Sequence, residues 1–178
     1  MRVIAGSARG RLLKTLEGEA TRPTTDKVKG AMFNIIQFEL EGSRVLDLFS
    51  GSGQLAIEAI SRGAKSAIAV DSSKSASLII RENIKTCGFE NEISVHTGDY
   101  LQVLTKGSKY DVIFLDPPYM SGLLFEALRK IAEFDILAEN GIIICETDAS
   151  TSVSEILPEG YSVREYRYGR IKLTVIRN

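Results

Sequence analysis

Short apolar or alternating runs recur at residues 44–48, 66–70, 93–96, 112–115 and 141–146, separated by segments with apolar residues at three- and four-residue spacing, at 54–62, 74–87 and 122–134. Alternation of this kind predicts parallel strands joined by helices, because a parallel strand needs a crossover to return to the same edge of its sheet. Residues 161–168 and 171–176 carry no helical period and predict two antiparallel strands turning at Gly169. The expected fold class is α/β: one doubly wound domain over residues 44–178, five parallel strands followed by an antiparallel hairpin.

Residues 1–43 precede the first parallel strand and form an extension of their own. Residues 2–5 and 11–15 flank a small-residue segment, 6–10, and predict a short β-hairpin. Pro23 blocks helix upstream, while Thr24, Thr25 or Asp26 can cap a helix running to about Leu40. Val28, Ala31, Met32, Ile35 and Ile36 fall on one face of that helix, which suits packing against the sheet.

Of the 178 residues, 44% are apolar and 25% charged, as in a globular protein with a full core. No apolar run approaches the ~18 residues of a bilayer-spanning helix, and the start lacks the apolar stretch of a secretion signal, so a cytoplasmic protein with no membrane association is expected. Cys87 and Cys145 lie outside any metal or redox spacing and predict two buried free thiols, with no metal site. His96 is the one histidine, and Ser-His or Cys-His chemistry would depend on it alone. The formal net charge of −1 conceals segregation: residues 1–30 carry +4, residues 160–178 carry +4, and the middle carries −9. Two basic ends brought together would make a polyanion-binding face, with Arg9, Arg11, Lys14 and Arg22 opposite Arg167, Arg170 and Lys172. Two solvated basic segments would have the same composition.

The strongest local signal is Asp47-Leu48-Phe49-Ser50-Gly51-Ser52-Gly53, where a buried strand gives way to a helix. Gly51 and Gly53 let a ligand approach the backbone at a helix N-terminus. Asp47, four residues before Gly51, would repel a pyrophosphate but suits an amine-bearing or cationic ligand, and S-adenosylmethionine carries both an ammonium and a sulfonium. Asp71 ends the second strand 18 positions beyond Gly53, near the separation at which an acid meets two ribose hydroxyls. Asp99, in the Gly98-Asp99-Tyr100 turn after the third strand, can accept from an adenine amino group. Asp116-Pro117-Pro118-Tyr119 closes the fourth strand and points to the reaction class. Two prolines cannot donate to a ladder; they hold the backbone rigid with carbonyls available to a planar exocyclic amine. Asp116 and the Pro117 carbonyl would take the two amine hydrogens while Tyr119 stacks on the base.

These segments, in this order and spacing, resemble a class I S-adenosylmethionine-dependent methyltransferase acting on an amino nitrogen. The extension, with Met1-Arg2-Val3-Ile4-Ala5-Gly6, Gly10-Arg11-Leu12-Leu13, Arg22-Pro23-Thr24-Thr25-Asp26-Lys27-Val28-Lys29 and Phe33-Asn34, resembles the RsmD family, as do the closing Tyr168-Gly169 and Leu173-Thr174. Members of that family are bacterial enzymes that methylate the N2 amino group of one guanine in small-subunit ribosomal RNA. The resemblance implies a Rossmann-like, seven-stranded sheet, S-adenosylmethionine as cofactor and the ribosomal RNA, or a particle containing it, as substrate. It implies catalytic roles for Asp116, Pro117, Pro118 and Tyr119, and cofactor contacts from Asp47, Phe49, Gly51, Gly53, Asp71, Ser72, Asp99 and Tyr100. It further implies an N-terminal RNA-binding extension over residues 1–43 and a chain that acts as a monomer. Ser50 and Gln54 depart from the small residues common there in relatives. Rival readings are an adenine-N6 methyltransferase of nucleic acid, an NAD-dependent oxidoreductase and a non-enzymatic RNA-binding protein.

Overall fold

A computed structural model describes residues 1–16, 26–118 and 122–178. The parallel runs and the closing hairpin become β1 (Arg44–Asp47), β2 (Ser66–Asp71), β3 (Ile93–Thr97), β4 (Tyr110–Leu115), β5 (Leu137–Asp148), β6 (Ser162–Tyr168) and β7 (Ile171–Arg177). They form one seven-stranded sheet in the order β3, β2, β1, β4, β5, β7, β6, with β7 antiparallel to both β5 and β6. The helices are α1 (Asp26–Ile35), α2 (Gln54–Ser61), α3 (Lys74–Cys87) and α4 (Leu123–Glu133). Chain order reverses between β1 and β4, and a doubly wound sheet opens its ligand crevice at such a switch point.

Both faces of the sheet are covered, which is why the parallel strands read as near-continuous apolar runs. Val45, Phe114, Ile142 and Ile144 face one layer of the core with α1, α2 and α3; Leu46, Ile113, Leu115 and Cys145 face the other with α4. At the start of α3 the Ser73 hydroxyl accepts from the Ala76 amide at 3.2 Å, and Gly88 ends the helix at φ 77°, the left-handed conformation a side chain resists.

The first 16 residues are sewn onto α2 and α3 rather than to a sheet of their own. The expected hairpin closes with a single bridge, Arg2 to Leu12, because the amides of Ile4 and Ala5 that would extend the ladder donate instead to the Glu58 carboxylate at 2.8 and 3.0 Å. Ser7 donates to the Ser61 carbonyl and Ala8 to the Ser61 hydroxyl. Gly6 has φ 82°, and a Cβ there would lie 1.6 Å from the Ser61 carbonyl oxygen, so only glycine permits this approach. Glu58 also accepts from Arg62 Nε at 2.8 Å and lies 3.7 Å from Lys29 Nζ, with both Lys29 and Glu58 wholly buried. Burial pulls the Lys29 ammonium below its ordinary value, an effect that Glu58 opposes.

Three expectations need correction. The helix expected to reach Leu40 stops at Ile35; the chain turns, with Ile36 and Leu40 still in the core and Phe38 88% exposed. Its buried face includes Lys29 and Phe33, which the apolar stripe omitted, while Ala31 and Ile35 are only half-buried. β5 begins at Leu137, not 141: pairing with β4 shifts register between Tyr110–Leu137 and Val112–Ile142, and the exposed Glu139 and Asn140 that read as a loop are a bulge inside the strand. Residues Thr21, Arg22, Pro23, Thr24 and Thr25 lie outside the described residues.

The Glu58 network predicts an ordering of stabilities. Glu58→Ala removes the carboxylate beside the buried Lys29 ammonium, which keeps its bond to the Arg2 carbonyl, and strands two amides, and should cost about 3 to 5 kcal/mol, whereas Lys29→Met leaves Glu58 with Arg62 and both amides and should cost less. Urea titrations of the two variants check this; equal losses would show that the ammonium, through the Arg2 carbonyl, anchors the segment as strongly as the carboxylate does.

Candidate active site at the carboxyl edge of the sheet

The strands β1 to β4 end on one cleft of about 1190 Å³, lined among others by Phe49, Gly51, Asp71, Asp99, Asp116 and Pro117. Its form begins with the turn after β1. The Ser50 hydroxyl donates to the Asp47 carbonyl at 2.9 Å and accepts from the Val70 amide at 3.1 Å, pinning the turn to β2. Gly51, at φ 55°, donates its amide to Asp71 Oδ2 at 2.9 Å, and a Cβ on it would meet no atom within 4 Å, so the backbone is open to a ligand. Asp71 Oδ1 accepts from the Ser73 amide at 2.9 Å, leaving lone pairs on both oxygens for a ligand. Asn83, buried on α3, accepts from the Lys14 amide and donates to the carbonyls of Lys14 and Ser52, fastening the extension to the glycine turn. Met1, Thr15 and Leu16 thereby reach the cleft lining.

Across β3, Asp99 accepts from the Leu101 amide at 2.9 Å and caps the short 3₁₀ turn Tyr100–Gln102. The rings of Phe49 and Tyr100 lie 5.2 Å apart at 54°, an apolar wall for one side of the cleft. Burial, with Glu126 nearby, pushes the Tyr100 hydroxyl well above its ordinary value. On the other side stand Asp116, half-buried at the end of β4, then buried Pro117 and exposed Pro118. Glu146, at the end of β5, also lines the cleft, and nothing in its apolar strand marked it beforehand. Five carboxylates line the cleft, those of Asp71, Asp99, Asp116, Glu126 and Glu146, with no lysine or arginine among the described lining residues. Such a surface suits hydrogen-bond donors and cations and rejects phosphate.

The structure thus brings together Phe49, Gly51, Asp71, Ser72, Asp99, Tyr100, Asp116, Pro117 and Pro118. It sets two residues differently from the expectation. Gly53, at φ 77°, caps α2 and packs against Ile80, 3.0 Å from where its Cβ would be. Asp47 is sealed beneath the glycine turn and is not part of the lining, its two carboxylate oxygens without hydrogen-bond partners. Desolvation raises its pKa to about 7, against weaker opposition from the Ser50 hydroxyl and the Ala56 amide. Tyr119 lies outside the described residues.

A family model described as "conserved hypothetical protein 95" matches residues 1–177. Ribosomal RNA small subunit methyltransferase D of Haemophilus influenzae is 33% identical over 100% of this chain and 94% of that protein. The chain belongs to the RsmD family. YlbH of Bacillus subtilis, named as an rRNA methyltransferase, is 41% identical over 95% of this chain and 94% of its own length. The solved structure of yhhF from Escherichia coli, described as a methyltransferase, is 28% identical and superposes with a TM-score of 0.87 over 100% of this chain and 97% of its own.

In this RsmD-family chain the basic side chains of the two ends do not, among the described residues, converge on one groove. The hairpin tip with Arg9 and Arg11 follows residues bonded to Ser61, the last residue of α2, and Arg11 acts on the thiol of Cys87 at the last turn of α3. Those helix ends lie opposite the cleft. Lys14 pairs with Glu82 at 2.7 Å, whereas Arg167 is exposed on the edge strand β6 and Arg170 sits in the β6–β7 turn beside the end of β5. Lys172 is buried and bonded to Glu165 and the Thr151 carbonyl, which removes it from any phosphate-binding surface. Cys145 is buried, but Cys87 is only half-buried. His96 contacts Gln102 and is not part of the lining. Among the described residues no helix is long and apolar enough to cross a membrane, and no cluster of His, Cys, Asp and Glu could hold a metal ion.

Asp47 makes stability depend on pH in a definite direction. Because its folded pKa of about 7 exceeds the unfolded value, the native state binds the extra proton, and stability contributed by Asp47 is lost as pH rises from about 4 through 7. Asp47→Asn removes this loss and should stabilise the ligand-free protein at pH 8 by up to ~4 kcal/mol relative to the parent, with little difference at pH 4. Urea titration at both pH values checks it, and parallel curves for parent and variant would show that the buried carboxyl does not titrate in this range.

Proposed function

We propose that this chain transfers a methyl group from S-adenosylmethionine to the exocyclic N2 amino group of a guanine in small-subunit ribosomal RNA. The observation that carries the reading is one cleft at the switch point of the sheet, with an open glycine turn, Asp71 and Asp99 on one side and Asp116-Pro117-Pro118 on the other. The fit to the cofactor rests on the open space above Gly51 and on a lining that is acidic and, among the described residues, holds no lysine or arginine.

In this reading Asp71 accepts from the ribose hydroxyls and Asp99 from the adenine amino group, with Phe49 and Tyr100 against the ring and Ser72 beside it. When bound, the cofactor supplies an electrophilic methyl group on a sulfonium. Every other task falls to the chain. Asp116 and the Pro117 carbonyl accept the two hydrogens of the flipped base's amine, which directs its lone pair into the cleft, and Tyr119 stacks on the base. Water is excluded by the apolar wall and by the N-terminal segment. Since the described lining rejects phosphate, the RNA backbone is held outside it, by basic groups such as Arg170 near the same edge.

Small-subunit particles from cells lacking the gene test this directly. Incubated with the protein and labelled S-adenosylmethionine, they should yield N2-methylguanosine on nuclease digestion; N6-methyladenosine alone would establish the adenine rival. Asp71→Ala, losing charge-assisted bonds of about 1.5 to 3 kcal/mol, should weaken S-adenosylhomocysteine by roughly one to two orders of magnitude in calorimetric titration. Asp116→Ala should hold that affinity within a few-fold while turnover falls by ~100-fold or more. A collapse of cofactor affinity in Asp116→Ala would move the acceptor site elsewhere.

A further inference from the structure

Glu146 is the buried acid that the roles above leave unused. It is only 3% exposed, yet it lines the cleft. In the parallel β4–β5 pair Leu115 is in register with Cys145, the last pair of that ladder, so Asp116 and Glu146 are the next residues on neighbouring segments, and both line the cleft. Cys145 faces the α4 layer, so Glu146, the next residue of β5, turns to the opposite face. On its other flank Glu146 is in register with Leu173 of β7, an apolar neighbour. The acids assigned to the cofactor come from β2 and the turn after β3; Glu146 stands with Asp116 and the prolines in the other half of the cleft.

Base chemistry gives this second carboxylate a specific task. The Watson–Crick edge of guanine presents the N2 amino group and, beside it, the N1–H donor. Adenine presents its amino group beside an N1 lone pair. With Asp116 and Pro117 engaged with the amine hydrogens, the next group along the edge faces the next acceptor along the sheet. Resting on the proposed guanine-N2 reading, we infer that Glu146 accepts the N1–H of the flipped guanine and so sets the choice of base. An adenine in the same pose points its N1 lone pair at a carboxylate in a poorly hydrated site, where an unmatched polar group is strongly disfavoured.

The test uses small-subunit RNA carrying guanosine or 2-aminopurine at the methylated position, once that position is mapped. 2-Aminopurine keeps the methyl-accepting amine but has a lone pair at N1. The parent should favour guanosine by ~100-fold or more in kcat/KM. Glu146→Gln, whose amide both donates and accepts, should lower kcat/KM for guanosine by at least ~10-fold and shrink the guanosine to 2-aminopurine ratio by at least ~10-fold, with S-adenosylhomocysteine affinity within about threefold. Glu146→Asp keeps an acceptor and should lose rate while keeping the ratio, which also serves if the glutamine variant fails to fold. An unchanged ratio in folded Glu146→Gln, including an equal loss on both substrates, overturns the inference. A parent that methylates no guanine overturns the proposed function instead.

Discussion

The Glu58 carboxylate is the interaction on which the arrangement of this molecule depends. It satisfies two backbone amides of the N-terminal segment, the Arg62 side chain and the charge of buried Lys29 at one point. A carboxylate out of water is costly unless each lone pair is used, and here the donors come from three separate pieces of chain. That convergence holds the first residues along α2, and Asn83, bonded to the Lys14 backbone and the Ser52 carbonyl, brings Thr15 and Leu16 to the cleft. The extension is therefore part of the wall of the candidate site and shares the core of the sheet through Val3, Ala8 and Leu13.

The electrostatics of the cleft separate two jobs an RNA-modifying protein has to do. Holding a base and a sulfonium cofactor favours acceptors and negative charge; holding a phosphate backbone favours the reverse. Among the described residues the chain divides them in space, with carboxylates inside the cleft and exposed arginines outside it. Exposed basic groups also lie at places other than the cleft mouth, such as Arg9 and Arg11 at the far ends of α2 and α3, so the positive charge is spread over the molecule. A diffuse field of this kind attracts a polyanion without fixing its register, which leaves orientation to the few groups near the carboxyl edge.

Much of the site was legible because its signals are local. Gly51, Asp71, Asp99 and Asp116 each stand where an apolar run ends, and the ends of parallel strands share one edge whatever the details of packing. Asn83 escaped notice, and Ser50 stood out only as a departure from relatives, because their partners, the Lys14 backbone and the Val70 amide, are distant in sequence and ordinary in type. Glu146 escaped for a similar reason: it joins Asp116 in the cleft only because β5 lies beside β4. The opposite error arose at Lys172, which counts as a charge in composition but is consumed by Glu165 and a carbonyl.

The sequence by itself determined the period of each element, and with it the alternation of strands and helices, the glycine turn and the acid or proline signal at each strand end. These follow from backbone geometry and burial over a few residues, which the order of side chains expresses directly. Tertiary structure decided what depends on residues far apart. It sealed Asp47 under the turn, ended α1 early, folded the polar Glu139-Asn140 pair into a strand and set Arg9 and Arg11 apart from Arg170. It did so because burial and hydrogen-bond satisfaction are settled over the whole molecule, and a carboxylate or an arginine carries no mark in the chain of which neighbours will surround it.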